Sequence, residues 1–85
     1  LKTQKQIVAY LNAALEDGDP TVLLEALRNV AQAKGGMSTL AKAAGMSRES
    51  LYRTLSRRGN PKIDTVMQLL RALGLKLAIE RRSAA

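Results

Sequence analysis

MSTLAKAAGMSRESLYRTLS, residues 37–56, is the stretch whose reading decides this chain. It divides into two short helical segments around Gly45-Met46-Ser47. Leu40, Ala41, Ala44 and Met46 make the apolar side of the first, and the small Ala41 lets a second helix cross close by. Gly45 is suited to the left-handed conformation that ends a helix, because it has no Cβ to clash. Ser47 then offers its hydroxyl to the open amides of the next helix, with Ser50 in the first turn. Leu51 and Leu55 lie four residues apart and share a face. Arg48, Glu49, Tyr52, Arg53 and Ser56 form the opposite stripe. The segment therefore has a side to bury and a side with hydrogen-bond donors to spare.

Two short helices joined by such a turn make the helix-turn-helix pattern, whose second helix enters the DNA major groove. Glycine-turned helix pairs also occur as plain packing units, and a basic stripe is often only a solvated face. The distribution of charge weighs against that bland reading. The formal charge is +7. Residues 1–34 carry four cations (Lys2, Lys5, Arg28, Lys34) and four carboxylates (Glu16, Asp17, Asp19, Glu25), so they sum to zero. Residues 35–85 hold ten cations and three carboxylates, and so the whole excess. A neutral front half and a basic back half fit a nucleic-acid face better than a uniformly basic protein.

Composition narrows the remaining classes. A chain of 85 residues suits one small domain. Apolar residues make up 46%, yet Phe and Trp are missing and only two Tyr occur, so the core must be built from Leu, Ala, Val, Ile and Met. Such a core buries little area per residue, and a second copy of the chain would help stability. Without Cys there are no disulfides, and without His as well there is no zinc finger, zinc hydrolase site or His-based triad. Glu16, Asp17 and Asp19 cluster at a helix end, where capping explains them, so no enzyme and no cofactor are expected. No apolar run approaches the ~18 residues of a membrane span, and no secretory signal is visible. A cytoplasmic, nucleoid-associated protein is expected, and Leu1 predicts a natural chain that begins earlier.

The rest of the chain reads as support. Lys2–Glu16 is a predicted helix with Ile7, Tyr10, Leu11, Ala14 and Leu15 as its apolar stripe. Gly18 ends it, and Asp19 caps a second helix, Thr21–Lys34, with Pro20 in its first turn. Leu23, Leu24, Leu27, Val30 and Ala31 are its buried face, and Gly35-Gly36 closes it. The third helix opens at Met37 or Ser38, and the fourth runs Arg48–Leu55. The loop Ser56-Arg57-Arg58-Gly59-Asn60-Pro61-Lys62 follows the recognition helix and would lie along the DNA backbone. Ser56, Arg57, Arg58, Asn60 and Lys62 are its candidate phosphate contacts. Ile63–Leu73 is a fifth helix, apolar at Ile63, Val66, Met67, Leu69, Leu70 and Leu73 and so expected to be buried on two sides. Asp64 caps or favours its start, and Gly74 ends it. Leu75–Glu80 alternates with period two and predicts a short C-terminal β-strand. Nothing earlier reads as its partner, so Leu75, Leu77 and Ile79 are expected to pair across a homodimer's two-fold axis. Arg81–Ala85 reads as a frayed end. The expected fold is all-α, a single five-helix domain over 1–85, with 1–34 supporting, 37–56 as the helix-turn-helix and 61–80 as packing helix and strand.

Three stretches carry a resemblance to a known family: AYLNAALEDGDP at 9–20, MSTLAKAAGMSRESLYRTLS at 37–56 and GNPKIDTVMQLLRALGLKLAI at 59–79. Together they resemble the helix-turn-helix antidote proteins (antitoxins) of bacterial addiction modules, within the Xre or phage-repressor class. The resemblance implies a homodimer on a palindromic operator, repression of its own operon, and neutralisation of a toxin encoded beside it. It also implies base contacts from Arg48, Glu49, Tyr52 and Arg53, and phosphate contacts from Ser38, Thr39 and Ser47. Arg48 and Arg53 are each able to grip a guanine edge. Glu49 either accepts from a cytosine or orients Arg53, and Tyr52 either packs on a thymine methyl or covers the sugar-phosphate edge. Thr54 departs from the pattern, standing where an aliphatic residue is commoner. The rival reading is a protein-interaction module that mainly sequesters a toxin, with the neutral residues 1–34 as its contact surface.

Overall fold

The computed structural model describes residues 3–82, and among them there are five α-helices: α1 (Gln4–Asp17), α2 (Pro20–Ala33), α3 (Met37–Ala43), α4 (Arg48–Thr54) and α5 (Ile63–Ala72). The predicted helix start at Lys2 and the frayed residues 83–85 lie outside them. Local chemistry explains each boundary. Thr3 caps α1 through a reciprocal pair, its hydroxyl accepting from the Gln6 amide at 3.1 Å while Gln6 Oε1 accepts from the Thr3 amide at 3.2 Å. Asp19 caps α2, accepting from the Thr21 amide at 2.9 Å with Pro20 at the first helical position. That amide holds the Asp19 carboxyl below its ordinary range. Asp64 does not cap α5; Lys62 takes the cap position, and Asp64 sits in the first turn, where the helix dipole favours it.

The helices enclose one continuous apolar core. Ile7, Leu27, Val30, Leu51, Leu55 and Leu69 are fully buried in it, so every helix but α3 contributes a side chain with no exposed surface. From α3, Met37, Leu40 and Ala41 are buried as well. Burying a leucine side chain is worth ~1.5–3 kcal/mol, which makes this core the main stabilising element of so aromatic-poor a chain. Polar tethers seal its edges. Asn29 Nδ2 donates to the Tyr10 hydroxyl at 2.8 Å between α2 and α1. Gln4 Nε2 donates to the Leu73 carbonyl at 2.9 Å, tying α1 to the end of α5.

Two expectations are corrected. No strand occurs among the described residues, and Leu75–Glu80 is irregular. Alternation is a side-chain pattern, whereas a strand needs a backbone ladder, and the helices use their backbone groups internally. The segment is also committed at its root. Gly74 (φ 78°) ends α5, and the Leu75 amide returns to the Leu70 carbonyl at 2.8 Å. Leu75 is half-buried, Leu77 is 41% exposed and Ile79 is fully exposed, and none of the three lies in a strand. The second correction concerns α5. Leu69, Leu70 and Leu73 are buried and Val66 partly so, but Ile63 (65%) and Met67 (47%) face outward. One side of α5 packs on the core, and the other is an exposed apolar stripe.

Candidate nucleic-acid interface

The turn between α3 and α4 is built from backbone hydrogen bonds. Gly45 takes φ 70°, its amide donates to the Lys42 carbonyl at 3.2 Å, and the Met46 amide donates to the Ala41 carbonyl at 2.9 Å. This pair of bonds is the glycine-terminated Schellman cap, and it satisfies the carbonyls that a helix end leaves open. The remaining Ala44 carbonyl accepts from Gln68 Nε2, which reaches across from α5. Ala41 and Ala44 are nearly inaccessible, as the close crossing of small residues requires. Ser47 restarts the chain, accepting from the Ser50 amide at 3.0 Å. Because Ser47 Oγ acts there as an acceptor, its own proton stays available for an incoming oxygen.

α4 therefore leaves the turn in a set direction, and its rotation is set by Leu51 and Leu55, both at 0% exposure. Thr54 is half-buried beside them and does not disturb that rotation. On the other side Arg48, Glu49, Tyr52 and Arg53 are all exposed. The sequence reading missed one contact in this stripe. The Arg48 guanidinium lies 5.3 Å from the centre of the Tyr52 ring, and Arg48 Nη2 donates to the Tyr52 hydroxyl at 3.5 Å. This hydrogen bond pushes the Arg48 pKa further up. The i, i+4 spacing of an Arg and an aromatic residue was the signal for it. The contact restrains Arg48 on the helix surface while leaving most of its donors open, so Arg48, rather than Arg53, is the oriented cation of the stripe.

The loop after α4 turns sharply over the helix end. Ser56 Oγ donates to the Arg53 carbonyl at 2.9 Å, and the Gly59 amide donates to the Ser56 carbonyl at 2.8 Å. Gly59 sits so close to α4 that a Cβ there would collide with the Thr54 carbonyl. This compact turn leaves Arg57, Arg58, Asn60 and Lys62 exposed beside the end of α4. Residues 48–62 thus present five cations (Arg48, Arg53, Arg57, Arg58, Lys62) against a single carboxylate, Glu49.

The three remaining expected phosphate contacts lie at helix starts. Ser38 and Thr39 are exposed in the first turn of α3, and Ser47 is exposed at the start of α4. Thr39 differs from the other two, because its hydroxyl donates to the Gly35 carbonyl at 3.0 Å and is already engaged. The Ser56 hydroxyl is engaged in the same way. Among the expected phosphate contacts, then, the donors held ready are Ser38, Ser47 and the loop cations with Asn60.

Comparison with known proteins identifies the chain's relatives. A family model described as "Probable addiction module antidote protein" matches residues 1–81. An uncharacterized protein of Haemophilus influenzae strain Rd is 40% identical over 81 residues, covering 95% of this chain and 82% of that protein. No solved structure matches. Both matches run through all five helices and the segment that follows them. The chain belongs to the family of probable addiction module antidote proteins.

Proposed function

We propose that this antidote protein is a non-enzymatic, helix-turn-helix repressor of its own operon that also neutralises a toxin encoded beside it. In this reading it binds a palindromic operator as a homodimer, with α4 in the major groove. The observation that carries the reading is the two-sidedness of α4. Leu51 and Leu55 anchor it completely, while Arg48, Glu49, Tyr52 and Arg53 project from a surface rich in cations.

Each group has a role in this mechanism. Arg48 and Arg53 read guanine edges, each through two hydrogen bonds to O6 and N7. Tyr52 holds Arg48 and covers the sugar-phosphate edge. Arg57, Arg58, Asn60 and Lys62 grip phosphates along one strand, with Ser38 and Ser47 on the flanking backbone. Thr39 and Ser56 secure the two ends of the unit through their bonds to backbone carbonyls. The exposed pair Ile63 and Met67 begins directly after the phosphate-gripping loop, which supports it as an apolar contact for a two-fold mate. Such a mate must set the two α4 helices about 34–36 Å apart, one turn of the duplex.

Footprinting on the DNA upstream of the gene tests the proposal, with protection expected over an inverted repeat. Arg53→Ala is expected to remove sequence preference, with ~1–3 kcal/mol lost per bidentate contact and circular dichroism unchanged. Retained preference in competition binding would refute the assignment of the stripe. If a dimer neutralises about six to ten phosphates, affinity falls ~10³–10⁵-fold between 50 and 200 mM salt.

A further inference from the structure

Of the exposed apolar side chains that the DNA reading leaves unused, Ile79 stands apart and three others gather. Val8 (41% exposed), Leu15 (48%) and Leu77 (41%) converge on a groove of about 430 Å³ between α1 and the segment after α5. Leu11, Leu70 and Leu75 line the same groove. Residues 75–78 and Glu80, from the stretch predicted to form a strand, therefore form one wall of a groove. An exposed apolar patch rimmed by polar groups is the usual mark of a protein contact.

Charge decides what kind of partner fits. Glu16 and Glu80 line the groove, and Asp17 and Asp19 follow Glu16 around the end of α1. Among the described lining residues, Lys76 is the one cation. Two carboxylates against one cation make this lining weakly acidic in a chain of net charge +7, although Arg81 and Arg82 follow Glu80 directly. Such a lining does not gather cations for a phosphate backbone as the loop after α4 does. A second copy docked groove to groove would bring a second set of Glu16 and Glu80 to the first, with one Lys76 on each side to offset them, which like-charge repulsion disfavours.

We infer that this groove is the docking site of the cognate toxin, which enters it with an amphipathic segment. That segment's apolar side chains fill the space beside Val8, Leu15 and Leu77, and its basic side chains meet Glu16 and Glu80. The inference rests on the antidote reading, in which a toxin partner exists. It adds that toxin and operator occupy separate surfaces and bind together.

The test uses the full chain co-expressed with the product of the adjacent reading frame, with affinity read by calorimetry and self-association by light scattering. Leu15→Arg puts a cation on the groove wall at a half-exposed position, and loss of a central anchor is expected to weaken toxin binding by at least about thirtyfold. Operator binding and thermal midpoint should stay at wild-type values. Glu16→Lys with Glu80→Lys tests the rim without touching the apolar wall; it should slow association and flatten its salt dependence. Arg53→Ala should leave toxin binding unchanged. Wild-type toxin affinity in both groove variants would overturn the inference while leaving the antidote reading intact. A shift from dimer to monomer with toxin affinity unchanged would overturn it in favour of a contact between copies. Failure of the wild-type chain to bind the adjacent product would overturn both readings.

Discussion

The front and middle of this molecule are both helix pairs, but they hold their shape for different reasons. α1 and α2 are 14 residues each, begin at side-chain caps and pack along their length. α3 and α4 are 7 residues each, far below the ~12–15 at which even a favourable isolated helix becomes stable. The short pair exists because its surroundings hold it: Leu51 and Leu55 in the core, the cap at Gly45, and Gln68 reaching from α5. Charge divides the same way, with residues 1–34 neutral and the excess beyond them. A short helix presents one face completely because it has so little else to do, but it borrows its stability. The long pair can lend stability and keep a surface of its own free.

That contrast sets an order of expected effects. The largest belongs to Leu51→Ala, which removes a fully buried anchor and should cost ~2–5 kcal/mol in urea unfolding. It should abolish operator binding under conditions where Arg53→Ala still folds. Next is Gly45→Ala. A Cβ there has room, with Gln68 Nε2 at 3.9 Å, so the cost is that of holding an L-residue at φ 70°. About 1–2 kcal/mol is expected from thermal unfolding, with operator affinity reduced further because α4 is re-aimed. Equal losses from Gly45→Ala and Gly18→Ala in both assays would blur the distinction between the two pairs.

Smaller effects probe single contacts. Tyr52→Phe keeps the ring under Arg48 but removes the hydroxyl that accepts from it. A few-fold loss of operator affinity with no change in thermal midpoint is expected; an unchanged affinity would mean that Arg48 needs no orienting. The smallest effect is the acid response of the α2 cap. The Asp19 carboxyl is held below its ordinary pKa by the Thr21 amide, so its contribution is present above the unfolded value. It fades as pH falls through the lowered folded value. Asp19→Ala should therefore lower the thermal midpoint slightly at pH 7, and the difference from wild type should shrink as the pH falls below the ordinary carboxylate range.

Much of the arrangement was legible in the chain because it depends on near neighbours. All five helices follow from apolar spacing, and Gly18, Asp19, Pro20, Gly45 and Ser47 act where their chemistry predicts. The outward stripe on α4 follows from the same periodicity that buries Leu51 and Leu55. What was not legible depends on distant parts of the chain. Nothing around Gln68 says that it will reach the Ala44 carbonyl, or around Gln4 that it will reach Leu73. Gly59 looks like an ordinary loop glycine until the loop folds back on Thr54. Ile63 and Met67 look as apolar as Leu69 and Leu70, and only the packing of α5 tells the two sets apart.

By itself, then, the sequence determined the helices, their ends, the basic middle and the face of α4 that turns inward. These are matters of spacing within a few residues and of side chains acting on the nearest backbone groups. Only the tertiary structure decided that Leu75–Glu80 makes no strand among the described residues, and that Leu77 joins Val8 and Leu15 around a groove. Alternation supplies the side chains a strand needs but not the neighbouring backbone, and which surface those side chains meet depends on where α1 has already packed.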